Sequence, residues 1–552
     1  MGVPRGRVFR LSLVLGCLAF SLLLPGVQLG YWDRDEAEYA GVAHRMAQSG
    51  DFLVPRLFGN LYPDKPPLSE WLSALDFRLL GETEISGRLP HILLAAGSCV
   101  LILLIGRRLF GLRKGALASL LFATSFLFII YGRLFLTDSA LVFFTLLTVS
   151  CLLTLLEGRG RLSTVLTGGA ALGFALLAKG PIAYLAPLLF LGGHSLARRT
   201  LFHPAGKRIF GVFAVSAIVG FPWFFLTARE TGGESLTTFL IRENWNRFLH
   251  PMEGHGGAII YFLVVLAFGF FPWSGLLLVM KKSAFRRDPA RWGLFAWGCG
   301  VLAFFSFSAT KLPHYLLPAL PAFALLLADT FDADARSEIR LFAWASSLAG
   351  LLMFLGILFA ASQWDLPGIA GNVIWPFAVV GALSLAFPLL SSGERTRRLV
   401  VPLGVVVSAT IALWVPRAID RARCLPRLGA ATKLFRKTAE PLGGLKIEEP
   451  ALGYYAGCVA VEYWSSADQV VRSALRSPTR STLVWLEAAD GATLARDQRS
   501  SVRILAQGFN LIDPTSYGKL ELCRVMAPHL DAIRNARSPR SSTSPPVMRR
   551  ST

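Results

Sequence analysis

The sequence predicts an all-α polytopic membrane protein of about thirteen transmembrane helices, followed by a small C-terminal external α/β domain. Three observations carry that expectation. The 552 residues are 53% hydrophobic, include 40 Phe and have a mean hydropathy of +0.51, which is more apolar surface than one soluble globule buries. Apolar runs of roughly 17 to 24 residues, long enough to cross the hydrocarbon core, recur as far as about residue 415. Beyond Arg417 the pattern changes to short β-like runs such as Val459-Ala-Val-Glu-Tyr-Trp464 and Ser481-Thr-Leu-Val-Trp-Leu486.

The runs place spans near 9–30, 88–106, 115–132, 137–156, 162–178, 181–197, 208–227, 257–280, 291–309, 313–329, 340–361, 373–391 and 398–415. The first could be a cleaved signal peptide, given its basic start. Its length and the lack of a small-x-small cleavage site before Tyr31 favour an uncleaved span. Arg5, Arg7 and Arg10 precede it, and alternate connections carry Arg107, Arg108, Arg113 and Lys114, then Arg198, Arg199, Lys207 and Arg208, then Lys281, Lys282, Arg286 and Arg287, then Arg395, Arg397 and Arg398. The positive-inside rule puts these in the cytoplasm with the N-terminus, so an odd number of spans leaves the C-terminal segment periplasmic, in a bacterial inner membrane. The same distribution assigns the net charge of +21 to a strip facing anionic lipid and argues against nucleic acid as a partner.

Domain boundaries follow: 1–416 for the transmembrane part, 417–536 for the external domain of roughly 110 residues, and 537–552 for a disordered tail rich in Ser, Pro and Arg. Of seven Cys, Cys424, Cys458 and Cys523 fall in the external segment, where one disulfide would leave one thiol over.

The longest polar interruption of the membrane part is the first external loop, 32–88. It holds Asp33, Arg34, Asp35, Glu36, Glu38 and Tyr39, and then Tyr62-Pro-Asp64-Lys65-Pro-Pro67. Charges this close to a bilayer are costly unless they pair, bind something or reach water, so the loop is a candidate site. Tyr39, Val42, Ala43 and Met46 recur at helical spacing and predict an amphipathic surface helix that Gly50 ends. Leu68, Trp71, Leu72, Leu75 and Leu79 predict a second, stopped at Gly81. Pro63, Pro66 and Pro67 hold the charged strip between them extended.

The topology brings further polar groups to the same face. These are Arg133 and Asp138; Lys179 before Gly180-Pro181; Lys311 with His314 and Tyr315; and, from the loop 228–257, Glu243, Asn244, Arg247 and His255. Such a face suits transfer from a lipid phosphate. Cations (Lys65, Arg133, Lys179, Lys311) would stabilise the leaving phosphate, with Tyr62 and Tyr315 beside them. A carboxylate, Asp35 first and Asp138 second, with Glu36 adjacent, would orient or deprotonate an acceptor hydroxyl. Oxygen and imidazole ligands at Asp64 and His255 would suit a divalent metal, zinc or magnesium or manganese, although no spacing requires one.

The blocks Asp35-Glu36-x-x-Tyr39-Ala40, Gly50-Asp51, Val54-Pro55 and Tyr62-x-Asp64-Lys65-Pro66-Pro67 resemble the first external loop of the aminoarabinose transferase and protein mannosyltransferase group of GT-C glycosyltransferases. Arg133-Leu-Phe-Leu-Thr-Asp138, Ala178-Lys179-Gly180-Pro181, Glu243-Asn244-x-x-Arg247-Phe248 and Lys311-Leu-Pro-His-Tyr315 look like later landmarks of that group. The resemblance implies Asp35 as the catalytic aspartate, Asp138 as a second functional one, Lys65 at the lipid phosphate, and Asp64 with His255 as a metal-binding pair. Asp64 stands where aminoarabinose transferases usually have Glu, one methylene longer. Implied as well are inversion, a polyprenyl-phosphate-linked sugar donor, and a lipid A, glycan or protein acceptor on the external face. A protein O-mannosyltransferase-like enzyme acting on Ser or Thr is the nearest alternative. A flippase for lipid-linked sugars is the alternative from another class; transporters place polar sites at the midplane on repeated, broken helices, and no repeat is present here.

Overall fold

The computed structural model describes residues 4–31, 34–200, 203–252, 254–278, 288–330, 336–363, 378–383, 385–386, 388, 399–421, 425–437, 440–446, 450–457, 461–487, 490–491, 494, 501–510 and 518–526. The chain divides into two units, Met1–Ala422 and Arg423–Thr552.

In the first unit α1 (Arg5–Leu23) leads to the two helices of the first loop, α2 (Arg34–Ser49) and α3 (Leu68–Leu80). Helix α2 buries Tyr39, Val42, Ala43 and Met46, the face set by its spacing, and ends where Gly50 takes φ +76°. Between the helices, β1 (Arg56–Leu57) and β2 (Asn60–Leu61) form a two-residue hairpin. Its turn, Phe58-Gly59, has φ of +49° and +87°, the paired positive values of a type I′ turn. The loop is anchored by side chains that reach its backbone: Trp71 Nε1 donates to Phe52 O at 2.7 Å, and Trp223 Nε1 to Leu53 O at 3.0 Å. A Thr83–Ser86 capping box then starts α4 (Glu84–Phe110).

Apolar helices follow: α5 (Leu112–Ala123), α6 (Phe126–Tyr131), α7 (Thr137–Leu156), α8 (Leu162–Lys179), α9 (Leu185–Arg198) and α10 (Gly206–Glu230). Among the described residues six helical stretches are long and apolar enough to cross a membrane, and the chain is a multi-pass membrane protein. Several expected single spans are broken. The span expected at 115–132 is α5 and α6, divided at Thr124-Ser125. Side chains from distant helices cover the break: Trp273 Nε1 donates to Thr124 Oγ1 at 2.8 Å and Ser408 Oγ to Thr124 O at 2.6 Å. Irregular backbone at membrane depth needs such partners. Between α8 and α9 the chain turns at Gly180 (φ +77°), where a Cβ would lie 2.5 Å from the Phe239 ring.

The stretch expected as a loop, 228–257, is largely helical. It runs through α11 (Glu234–Thr237), a π-helical turn Thr238–Asn246 and α12 (Arg247–Leu249). Beyond it lie α13 (Tyr261–Gly269), α14 (Pro289–Phe307), a 3-10 segment Pro313–Ala319, α15 (Leu320–Thr330), α16 (Arg336–Gln363) and α17 (Val400–Arg421).

The second unit, taken by itself, carries a five-stranded mixed sheet built from β3 (Leu442–Leu445), β4 (Glu462–Trp464), β5 (Ser481–Glu487), β6 (Ser501–Asn510) and β7 (Gly518–Met526), ordered β4-β3-β5-β7-β6. Strands β3, β4 and β5 run parallel, and β7 is antiparallel to both β5 and β6. The amphipathic helix Ala467–Arg476 buries Val470 in a core with Leu445, Val484, Leu486 and Val525. Cys523 is a buried free thiol; Cys424 and Cys458, on which the disulfide expectation rests, lie outside the described residues.

Candidate active site

Asp35 and Glu36 are consecutive on α2, so their side chains leave the helix about 100° apart. They meet different surroundings. Glu36 is fully buried and takes a two-pronged ion pair from Arg88, Nε to Oε1 and NH2 to Oε2, both 2.8 Å. The Phe135 N–H adds a third bond at 2.8 Å. Arg88 in turn donates to the carbonyls of Val27, Leu29 and Gly30. Glu36, expected beside the catalytic aspartate, is thus held as a strut tying the loop to α4. Arg133, expected at the phosphate, is held in a similar way. Its guanidinium donates to the carbonyls of Ile129, Pro25, Ala412 and Leu22 at 2.6–3.2 Å, joining three chain segments.

Asp35 accepts a long bond from Tyr39 OH, 3.4 Å. Removal from water would raise its carboxyl, but the positive charges of Lys65, His314, Arg247 and Lys179 outweigh that and hold it below the usual carboxylate range. One turn on, Glu38 accepts from Tyr62 OH at 2.6 Å and from Arg34 Nε at 3.1 Å. Burial, then the Asp35 charge, pushes the Glu38 carboxyl up to about 7.

On the proline-flanked strip, Lys65 faces burial and the Arg247 guanidinium, which oppose its charge. The carboxylates of Asp35, Glu243 and Asp64 prevail and hold its ammonium above the usual lysine value. Asp64 is raised, by burial and by Glu243.

Lys179, at the end of α8, pairs with Asp138 in the first turn of α7 at 2.6 Å and lies 5.1 Å over the Tyr315 ring. Lys311 serves elsewhere: its ammonium donates to the carbonyls of Phe305 (3.1 Å) and Ser306 (2.6 Å) at the end of α14, and its N–H to His255 O at 2.8 Å. It is a helix cap that fastens the His255 loop.

Lys65, Lys179 and Arg247, with Asp64, Glu243 and Tyr315, line one cavity of about 520 Å³. The rest of its lining is mostly apolar, including Ile182, Leu185, Leu188, Leu240, Phe304 and Phe305, with Asn244 and Ser308 among them. Arg247, Glu243 and Glu38 are visible in the sequence as polar residues of this face, but without an assigned role. The first two carry a signal, Glu and Arg at i and i+4, and they pair at 2.9 Å.

For a metal, the residues do not fit. Among the described residues no three of His, Cys, Asp and Glu cluster, and the charged groups acting most strongly on Asp64 are Glu243 and the cations Lys65, Arg242 and Arg247. His255 is held through its backbone to Lys311 and Met252.

This site and fold have counterparts. The dolichyl-phosphate-mannose-protein mannosyltransferase family matches residues 64–224. The undecaprenyl phosphate-alpha-4-amino-4-deoxy-L-arabinose arabinosyl transferase of Edwardsiella ictaluri is 28% identical over 405 residues, 67% of this chain and 71% of the relative. The enzyme of that name from Pseudomonas aeruginosa is 32% identical over 327 residues, 57% of this chain and 58% of its own length. The crystal structure of ArnT from Cupriavidus metallidurans bound to undecaprenyl phosphate superposes with a TM-score of 0.74 at 20% identity, covering 94% of this chain and 98% of that one. The chain is ArnT-like. An Archaeoglobus fulgidus oligosaccharyltransferase shares the fold more distantly, with a TM-score of 0.52 at 13% identity over 82% of this chain and 64% of that one.

Proposed function

We propose that this chain is an integral-membrane glycosyltransferase that moves a sugar from a polyprenyl-phosphate donor to lipid A or another envelope glycan or lipid on the external face of the bacterial inner membrane. The observation that carries the reading is the cavity, which combines Lys65, Lys179 and Arg247 with a mostly apolar lining. That is the complement of a phosphate headgroup with a prenyl tail. The names of the Edwardsiella and Pseudomonas relatives support the donor class.

In the reaction the acceptor oxygen forms a bond to the anomeric carbon with inversion while the bond from that carbon to the phosphate oxygen breaks. The phosphate leaves with the electron pair. Lys65 and Arg247 meet the charge that develops on it, in a setting removed from water where each ion contributes more than at the surface. Lys179 lines the same cavity, held there by Asp138, which makes Asp138 a positioning residue. Asp35, kept ionised by its cationic neighbours, orients the acceptor and takes its proton where the acceptor is a hydroxyl. Thirteen spans, a cytoplasmic N-terminus and a periplasmic second unit complete the proposal.

The family matched at residues 64–224 favours one second reading, a Ser or Thr hydroxyl of a protein as acceptor. Mass spectrometry of lipid A, envelope glycans and glycoproteins, from cells with and without the chain, separates the two. A sugar mass lost from lipid A or a glycan supports the first, and one lost from proteins the second. Unchanged spectra in all three, with the protein present in the membrane, overturn both.

A further inference from the structure

Lys65 and Asp35 must address two ends of one reacting bond, yet they belong to separate elements. Asp35 is in the first turn of α2, whose core side is bolted down by Glu36 and Arg88. Lys65 is on the strip, which the hairpin delivers and three prolines stiffen. Tyr62 opens that strip, its N–H held by Pro55 O at 2.9 Å. Its hydroxyl crosses to α2 and donates to Glu38 Oε2 at 2.6 Å, at the short end for an O–H···O bond and in keeping with an ionised acceptor. Glu38 lies one turn beyond Asp35, and its other oxygen takes Arg34 Nε at 3.1 Å. Tyr62 thus has its hydroxyl engaged within the loop, where the sequence had assigned it to the phosphate.

We infer that Glu38 is a positioning residue: through Tyr62 it clamps the Lys65 strip to the Asp35 helix and so sets how well the lipid-phosphate donor is bound. The inference rests on the proposed donor class. The charged and titratable groups around Glu38 include Asp35, Arg34 and Tyr39 on its own helix and Tyr62 and Asp64 on the strip. An ionised Glu38 accepts the Tyr62 proton more strongly than a neutral one, so the clamp tightens as pH rises through neutrality.

The test measures binding of undecaprenyl phosphate to the full chain in nanodiscs at pH 8 and pH 6. At pH 8, Tyr62→Phe and Glu38→Ala should each weaken binding about tenfold, and the double variant should be no worse than either alone. Glu38→Gln, which keeps an acceptor oxygen and the packing, should be about three- to tenfold weaker than wild type at pH 8 and equal to it at pH 6. In transfer assays the change should fall on KM with kcat nearly kept. Losses that add in the double variant, a Glu38→Ala variant that binds as wild type does, or a Glu38→Gln deficit equal at both pH values would each overturn the clamp. Should Glu38→Ala fail to fold, Tyr62→Phe and Glu38→Gln carry the test. Wild type that binds no undecaprenyl phosphate would overturn the functional reading, and the clamp with it.

Discussion

Two regions of the first unit use the same residue types to opposite ends. Beneath the loop, Glu36, Arg88 and Arg133 are saturated, with each charged atom matched to a carbonyl, an amide or the opposite charge. Around the cavity, Lys65 and Arg247 act on both Asp35 and Asp64, and the space they line with Asp64 is large enough for a ligand. The difference shows that a charge removed from water becomes framework when its hydrogen-bonding capacity is filled from within. It becomes a site when its neighbours are other charges arranged around a cavity.

The sharpest way to break this comparison is to neutralise one charge in each region. Asp35→Asn, with insertion and expression intact, should lower transfer by about a hundredfold or more, measured with a labelled polyprenyl-phosphate sugar. A fully active variant would remove Asp35 from the chemistry. If instead it keeps substantial activity, an acceptor that is already ionised, a phosphate, is favoured over a hydroxyl. Lys65→Met should cost about a hundredfold in kcat/KM and weaken undecaprenyl phosphate binding. In the framework the loss should be of stability: Glu36→Ala leaves Arg88 buried without its carboxylate and should cost about 3–5 kcal/mol. Its readout is the yield and unfolding midpoint of purified protein, and near-normal stability would mean the strut is dispensable.

A subtler distinction comes from Glu70, on α3 and fully buried, with Oε2 lacking a partner. Burial pushes its carboxyl up to about 8 from an ordinary 4.5. Between those values the unfolded chain is ionised while the folded one holds the proton, so stability falls as pH rises from 4.5 to 8. Glu70→Gln should therefore raise the unfolding temperature at pH 8, with the gain gone by pH 4.5; equal gains at both would refute the assignment. The smallest effect is expected from chelation. Transfer in excess EDTA should stay within about twofold of the untreated rate, and a large loss restored by one divalent metal would show that the donor set at Asp64 is completed by something further.

Much of the loop was legible from spacing alone. The buried face of α2, the stop signals at Gly50 and Gly81 and the stiff strip all follow from side-chain periodicity and from the restricted backbone of Pro and Gly, which are local properties. The broken spans were not legible. Thr124-Ser125 sits inside an unbroken apolar run, and the side chains that permit the break, Trp273 and Ser408, lie 149 and 284 residues away. The helical 234–249 segment was hidden in the same way, because its polar composition reads as loop.

From its sequence alone this protein is a multi-pass membrane chain with one charged loop, since the composition, span lengths and helix-stopping residues act over a few turns at most. Tertiary structure decided which charges of that loop are tied into the framework and which stand beside other charges. Asp35 and Glu36 are adjacent and chemically near-identical. Glu36 is consumed by an arginine 52 residues away, whereas Asp35 feels Lys65, Arg247 and Lys179, three cations that line the cavity. Saturation of hydrogen bonds depends on what folding brings within 3 Å, and no local pattern encodes that.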